Sequence, residues 1–215
     1  MKAIMISIQP QWVEKILNGE KTIEIRKTMP KCEFPCKVYI YCTKSKPTLQ
    51  YFYNWQNYKP VSEHSTWASG RTLNVGEYGN GKVVAEFTFN EFEDFSKWEY
   101  DFGALVRHLD LWAGTKGNYP FLIDYLKGQK KGYAWHIDNL KIYDKPKELS
   151  KFSHYIPNNK CPKNECGIYC ENCMSYDGEH ETCLELYYAH REIKRPPQSY
   201  YYVEELENEN WWVWI

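Results

Sequence analysis

The chain has 215 residues. It has no apolar run approaching the roughly 20 residues needed to span a bilayer. Its first residues, Met1 to Ser7, lack the apolar stretch and small-residue cleavage site of a secretory signal. These absences predict a soluble, cytoplasmic protein with no membrane partner. A net charge of −1 excludes a polycation that coats nucleic acid by bulk charge. There is no internal repeat and no low-complexity segment. What is present is 43% apolar and 26% charged, the balance of a globular chain, with 17% aromatic residues. That aromatic surplus needs either a core or flat ligands to stack on. The length predicts one domain, or one domain with a smaller appendage.

Eight cysteines are unevenly placed. Cys32, Cys36 and Cys42 read as small buried side chains. The other five follow the spacing C-x4-C-x3-C-x2-C-x9-C from Cys161 to Cys183. In a reducing compartment such clustering favours metal over disulfide. The two-residue gap between Cys170 and Cys173 lets both thiolates bind one tetrahedral ion, with Cys161 and Cys183 completing the set and Cys166 as alternate. His180 is an outside candidate. The expected cofactor is structural zinc, which would supply the folding energy of a segment poor in apolar residues. An iron–sulfur cluster uses the same four thiolates. No organic cofactor is expected.

Along the chain, residues 2–8 read as a strand bounded by Gln9-Pro10. Trp12, Val13, Ile16 and Leu17 then recur at helical spacing until Asn18-Gly19 stops the helix. Residues 21–27 alternate with a period of two, and 37–43 make a further strand. Residues 44–80 show no sustained period and read as a long excursion. Residues 81–92 return to strand chemistry with Val84, Phe87 and Phe89 as core. Residues 101–128 are expected as two helical pieces broken near 114–118. Residues 132–143 read as a strand, Pro146 to Leu149 as a turn or short helix, and 199–206 as a closing strand. Many short strands with few helices predict a small β-barrel or a curled mixed sheet.

Charge is segregated although the total is near zero. Residues 1–46 carry a net +5 and residues 77–110 a net −5. A basic N-terminal face suits phosphate. The period-two segment after Gly19 places Thr22, Glu24 and Arg26 on one face of a strand and Ile23 and Ile25 on the other. Glu24 and Arg26 can pair along that face. Read as a surface, it is an ion pair of little value. Read as a cleft, it offers an acceptor in Glu24, a bidentate donor in Arg26 and an ammonium in Lys21, groups that read a base edge or hold a phosphate.

The run Ser7-Ile8-Gln9-Pro10-Gln11-Trp12 with Gly19-Glu20-Lys21-Thr22-Ile23-Glu24-Ile25-Arg26 resembles the ASCH domain of the PUA-like superfamily, whose signature is G-x-K-T-x-E-x-R. Residues 81–87, 132–137 and Arg195-Pro196-Pro197-Gln198-Ser199 look like the later blocks of a phage and prophage subgroup with a cysteine-rich insert. The resemblance implies an α+β fold: a PUA-like barrel over 1–152 with 44–80 inserted, a cysteine-rich insert over 153–190, and a closing strand and tail over 191–215. It also implies a cleft that binds RNA or a modified nucleobase.

One branch of the family removes the acetyl group from N4-acetylcytidine. In it the lysine of the G-x-K-T segment, a threonine three residues later and a distant glutamate are catalytic. Lys21 matches the lysine, and Glu24 stands in the threonine's place. A carboxylate there can serve as general base for water if its pKa is raised. A ribonuclease activity is also associated with the family, although no His pair or acid cluster here points to it independently. The ligand-binding set implied is Ser7, Gln9, Lys21, Thr22, Glu24, Arg26, Gln198 and Ser199, with Lys21 and Glu24 as the catalytic candidates. His136, beside Trp135 and Ile137, reads as packed and satisfied. Tyr51, Tyr53, Trp55, Tyr58 and Tyr200 to Tyr202 are candidates for base stacking. Trp211 to Ile215 reads as packing or as a protein-partner contact, so a third reading is a phage-encoded protein-interaction factor.

Overall fold

The structure, a computed structural model, describes residues 1–44, 79, 81–115, 119–155 and 192–206. The cysteine-rich stretch, most of the 44–80 excursion and the Trp-rich end lie outside the described residues, and with them every cysteine assigned to zinc.

The first strand, β1 (Lys2–Ile8), is followed by helix α1 (Pro10–Leu17). Pro10 sits in the first turn, where a missing N–H costs nothing. Asn18 caps the helix, and Gly19 turns the chain away at φ +73°, a conformation glycine adopts without strain. Strands β2 (Ile23–Arg26), β3 (Cys36–Cys42), β4 (Val83–Phe89) and β5 (Phe92–Asp94) come next. Helices α2 (Phe102–Trp112) and α3 (Tyr119–Leu126) precede β6 (Tyr133–His136), β7 (Asp138–Lys147) and β8 (Tyr200–Glu204). The Asp101 carboxylate caps α2 by accepting from the Ala104 N–H at 2.7 Å. The expected turn at Pro146 is displaced: β7 runs through it to Lys147, and a 3-10 turn begins at Leu149.

The strands form two sheets. Five are ordered β7-β4-β3-β1-β8 and three β2-β6-β5. Among the described strands only β1 and β3 pair in parallel, because α1 and β2 make the crossover between them. The far C-terminal strand β8 returns to pair antiparallel with β1, from Lys2 opposite Glu204 to Ile6 opposite Tyr200. The expected α+β class holds, while the expected small barrel is corrected to two separate sheets among the described residues. Among the described residues no ladder joins the three-stranded sheet to the five-stranded one. The chain crosses between them through α1, through the β2–β3 connection and at two short corners, Asn90–Glu91 and Ile137–Asn139, where Asn139, near the start of β7, has φ +48°. The strand expected over 132–143 is split at the second corner, just after the Ile137 N–H bonds the Thr22 carbonyl at 2.9 Å, one position beyond the β2–β6 ladder.

Three apolar clusters hold this arrangement. One face of the large sheet packs Ile4, Ile6, Val38, Ile40, Phe87 and Phe89 against Val13, Ile16 and Leu17 of α1. The other face buries Met5, Tyr39, Val83 and Val203 with Phe152 and Ile193. Between the small sheet and α2 and α3 lie Ile23, Ile25, Phe95, Leu105, Leu109, Leu122 and Ala134. The expected core residues Val84, Phe87 and Phe89 are all buried, as are Cys36 and Cys42, while Cys32 is half-buried. No helix among the described residues is long and apolar enough to cross a membrane.

Candidate functional site

The end of β1, the start of α1, strand β2, the turn after α2, helix α3 and Gln198 ahead of β8 surround a cleft of about 350 Å³. That is large enough for a small organic ligand. Six of the eight ligand-binding candidates meet there: Ser7, Gln9, Lys21, Glu24, Arg26 and Gln198. The other two do not line it. Thr22 is exposed and engages its neighbours through its backbone, donating to the Trp112 carbonyl at 2.8 Å. Ser199 is exposed and contributes its carbonyl oxygen to Arg26.

Strand β2 was legible as amphipathic, but both of its faces are covered. Ile23 and Ile25 face the helices, and Glu24 and Arg26 are buried too. Glu24 lies between two cations. Its Oε2 is 3.3 Å from Lys21 Nζ and its Oε1 is 2.9 Å from Arg26 Nε. Lys21 Nζ also donates to the Ile23 carbonyl at 2.6 Å. Lys21 is buried, and burial pushes its amine below the usual lysine value, with the Glu24 carboxylate opposing that shift. The cleft thus holds two basic groups and one acid, all withdrawn from water.

Arg26 does more positioning than reading. Its Nη1 donates to the Ser199 carbonyl at 3.1 Å and its Nη2 to the Ser7 carbonyl at 2.9 Å. One guanidinium therefore ties the end of β1, the entry to β8 and Glu24 together. Two of its five N–H groups are hydrogen-bonded among the described residues; its Nε, 2.9 Å from Glu24, contributes an ion pair with no hydrogen bond. The Ser7 hydroxyl, by contrast, is buried at the cleft with no hydrogen-bond partner among the described residues. A buried hydroxyl without a partner is costly unless a ligand or water supplies one.

The wall behind Lys21 is backbone. Gly114, at φ +68°, lies so close that a Cβ there would come within 3.2 Å of Lys21 Cβ and Lys15 Cδ. Lys15 Nζ donates to the Gly114 carbonyl and fastens α1 to this turn. Thr115, next in the chain and lining the cleft, donates its hydroxyl to Asp110.

Sequence reasoning missed the aromatic residues of this cleft. Trp12, Phe121 and Tyr125 all line it. Trp12 lay within the run of residues used for the family resemblance, and Phe121 and Tyr125 are four apart on one face of α3. That spacing was the available signal, but only the packing of α3 against β2 places it at the cleft. Tyr125 is anchored there by its hydroxyl, which donates to the Ile25 carbonyl at 3.1 Å. Of the stacking candidates, Tyr200 to Tyr202 belong to β8 and do not line the cleft, and Tyr51, Tyr53, Trp55 and Tyr58 lie outside the described residues. His136 is half-exposed, not packed away, and its Nε2 is 3.3 Å from Glu93 Oε1. Among the described residues no group of three or more histidine, cysteine or acidic side chains is arranged to hold a metal ion.

No family model and no curated protein matches this chain. It is similar to solved structures of the ASCH protein from Zymomonas mobilis. A serine-to-alanine mutant of that protein is 13% identical, with 96% of this chain and 89% of that chain covered and a TM-score of 0.45. A tyrosine-to-phenylalanine mutant is 15% identical, with 97% and 92% covered and a TM-score of 0.41. The unmutated protein is 14% identical, with 96% and 89% covered and a TM-score of 0.40.

Proposed function

We propose that the chain is an ASCH-type binding module that recognises a nucleobase, in RNA or as a modified nucleoside, in the cleft formed around Lys21, Glu24 and Arg26. The supporting observation is the convergence of three buried charged side chains from one short segment on a cavity of about 350 Å³. A base edge presents hydrogen-bond donors and acceptors side by side in a plane. Lys21 can donate to it, and the Glu24 carboxylate has lone pairs beyond those used by its two cations. The orphaned Ser7 hydroxyl adds a group able to give or take a proton. Arg26 holds Glu24 in orientation.

The test is fluorescence anisotropy with labelled single-stranded RNA and matched DNA through a salt series, joined by calorimetry with cytidine and N4-acetylcytidine. Ser7→Ala is the informative variant, since it removes no internal hydrogen bond. The expected result is weakened binding with thermal stability unchanged or raised, since a buried hydroxyl without a partner is removed. Absence of binding to RNA, DNA and nucleosides at low salt refutes the proposal.

A second reading is supported by Lys21. A buried ammonium 3.3 Å from a carboxylate, both lining the cleft, can position a water and share in its proton exchange. On an N4-acylated cytidine, water deprotonated by this pair would add to the acyl carbonyl. The tetrahedral centre would then expel the exocyclic N4, which takes back the proton, leaving cytidine and a carboxylic acid that ionises to its carboxylate in solvent. Turnover of N4-acetylcytidine that is abolished by Lys21→Met is the expected outcome of this reading. Binding without turnover leaves the module non-catalytic.

A further inference from the structure

The cleft's aromatic residues form a continuous row that extends from the charged interior to its mouth. The Trp12 and Phe121 ring centroids are 4.8 Å apart, and Phe121 and Tyr125 follow at 6.3 Å with planes only 18° from parallel. Phe121 is 36% exposed, while Trp12 and Tyr125 are half-buried. Three large rings ending at solvent beside a polar pocket are unusual for a molecule that has water as the alternative, because each leaves apolar surface wet. The row is also bordered by positive charge. Lys15 Nζ lies 5.3 Å from the Trp12 ring centroid, and the exposed Lys27 places its Nζ 4.9 Å from that of Tyr125.

We propose that this row, Trp12–Phe121–Tyr125, is a stacking subsite for the nucleotide adjoining the one whose base enters the cleft, so that the ligand is a single strand of RNA and not a free nucleoside. The inference rests on the reading of the cleft given above and extends it. Flat aromatic faces beside a basic residue are how proteins hold unpaired bases, since every base has a π-face and every linkage a phosphate. The geometry suits stacking on the row more than insertion into it. At 4.8 Å Trp12 and Phe121 already touch, so a base must lie against their outer surfaces. Tyr125 cannot swing aside to admit one, because its hydroxyl is held by the Ile25 carbonyl. Lys15 is occupied by the Gly114 carbonyl, which leaves Lys27 as the phosphate contact.

The experiment measures two ligands against the same variants of the full chain: cytidine (with its N4-acetyl form) by calorimetry, and a short mixed-sequence single-stranded RNA by anisotropy. Phe121→Ala is expected to weaken RNA binding about tenfold more than it weakens nucleoside binding, the loss of one stacked base, whereas Lys27→Ala, outside the cleft, is expected to leave nucleoside binding unchanged. Phe121→Tyr is expected to restore RNA binding, which a packing defect would not do. Lys27→Ala is expected to lower the slope of log affinity against log salt by about 0.7, the value for one phosphate on a single strand. RNA bound no more tightly than the nucleoside, or indifferent to Phe121→Ala, overturns the stacking subsite while the cleft reading stands. Binding of neither ligand overturns both.

Discussion

Glu24→Gln is the substitution that most directly tests the electrostatics of the cleft. The side chain keeps its shape but loses the charge that faces Lys21 at 3.3 Å and Arg26 at 2.9 Å. Lys21, Glu24 and Arg26 are each at most 10% exposed in their side chains, so neither cation can be rescued by water without a structural shift. Removing one partner of a buried pair typically costs about 3–5 kcal/mol. For a chain of this size about 2–4 °C of melting temperature is lost per kcal/mol, so the expected drop is about 6–20 °C. The cost should also depend on pH.

In the native protein burial already holds the Lys21 amine below its usual value of 10.5, and Glu24 opposes that shift. Without Glu24 the amine falls further. Between the lowered folded value and 10.5 the unfolded chain then binds more protons than the folded one, so stability rises with pH through that window. The variant should therefore be most impaired at mildly acid pH and recover as the buffer is made alkaline. Thermal melts of both proteins at a series of pH values provide the assay. A deficit that stays constant with pH, or one of only a few tenths of a kcal/mol as for exposed pairs, would refute the argument. Lys21→Met should cost less than Glu24→Gln, because Glu24 keeps Arg26.

Arg26→Lys keeps the charge but cannot reach Glu24 and the carbonyls of Ser7 and Ser199 together; a loss of about 2–4 kcal/mol in urea titration is expected, and a neutral result would show that the guanidinium is not a structural tie. Gly114→Ala puts a Cβ at φ +68° against Lys15 and Lys21, whereas Gly19→Ala, at φ +73°, meets nothing within 4 Å. Both should lose about 1 kcal/mol or more from backbone strain. Only Gly114→Ala should also disturb ligand binding, and equal effects on binding would place the strain elsewhere. From the cysteine spacing alone, elemental analysis of protein purified anaerobically is expected to find one zinc per chain, lost in Cys170→Ser. Metal-free protein that remains folded would exclude the assignment of Cys161, Cys170, Cys173 and Cys183.

Local chemistry was enough to place most of the elements. Proline in the first turn and Asn18-Gly19 at the end delimit α1, and both limits are where the residues put them. The two helical pieces and the break between them were legible because Leu105, Leu109, Leu122 and Leu126 recur at helical spacing. The closing strand at 200–204 was legible from its aromatics. The barrel was not: whether strands close into one ring depends on which edges pair, and the corners at Asn90–Glu91 and Ile137–Asn139 direct the chain into separate sheets.

The sequence by itself determined the polar stripe of Thr22, Glu24 and Arg26 with Lys21 just before it, its position on a strand after a glycine-stopped helix, and that Glu24 and Arg26 can pair. Those properties depend on neighbours two to five residues apart. Only the tertiary structure decided that the stripe is buried, that Arg26 spends its fork on carbonyls 19 and 173 residues away, and that Phe121 and Tyr125 stand beside Trp12 at the mouth of the cleft. The physical reason is the same in each case. Burial, a hydrogen-bond partner and an aromatic neighbour are set by segments that meet only when two sheets and three helices pack, and no local periodicity records who those partners are.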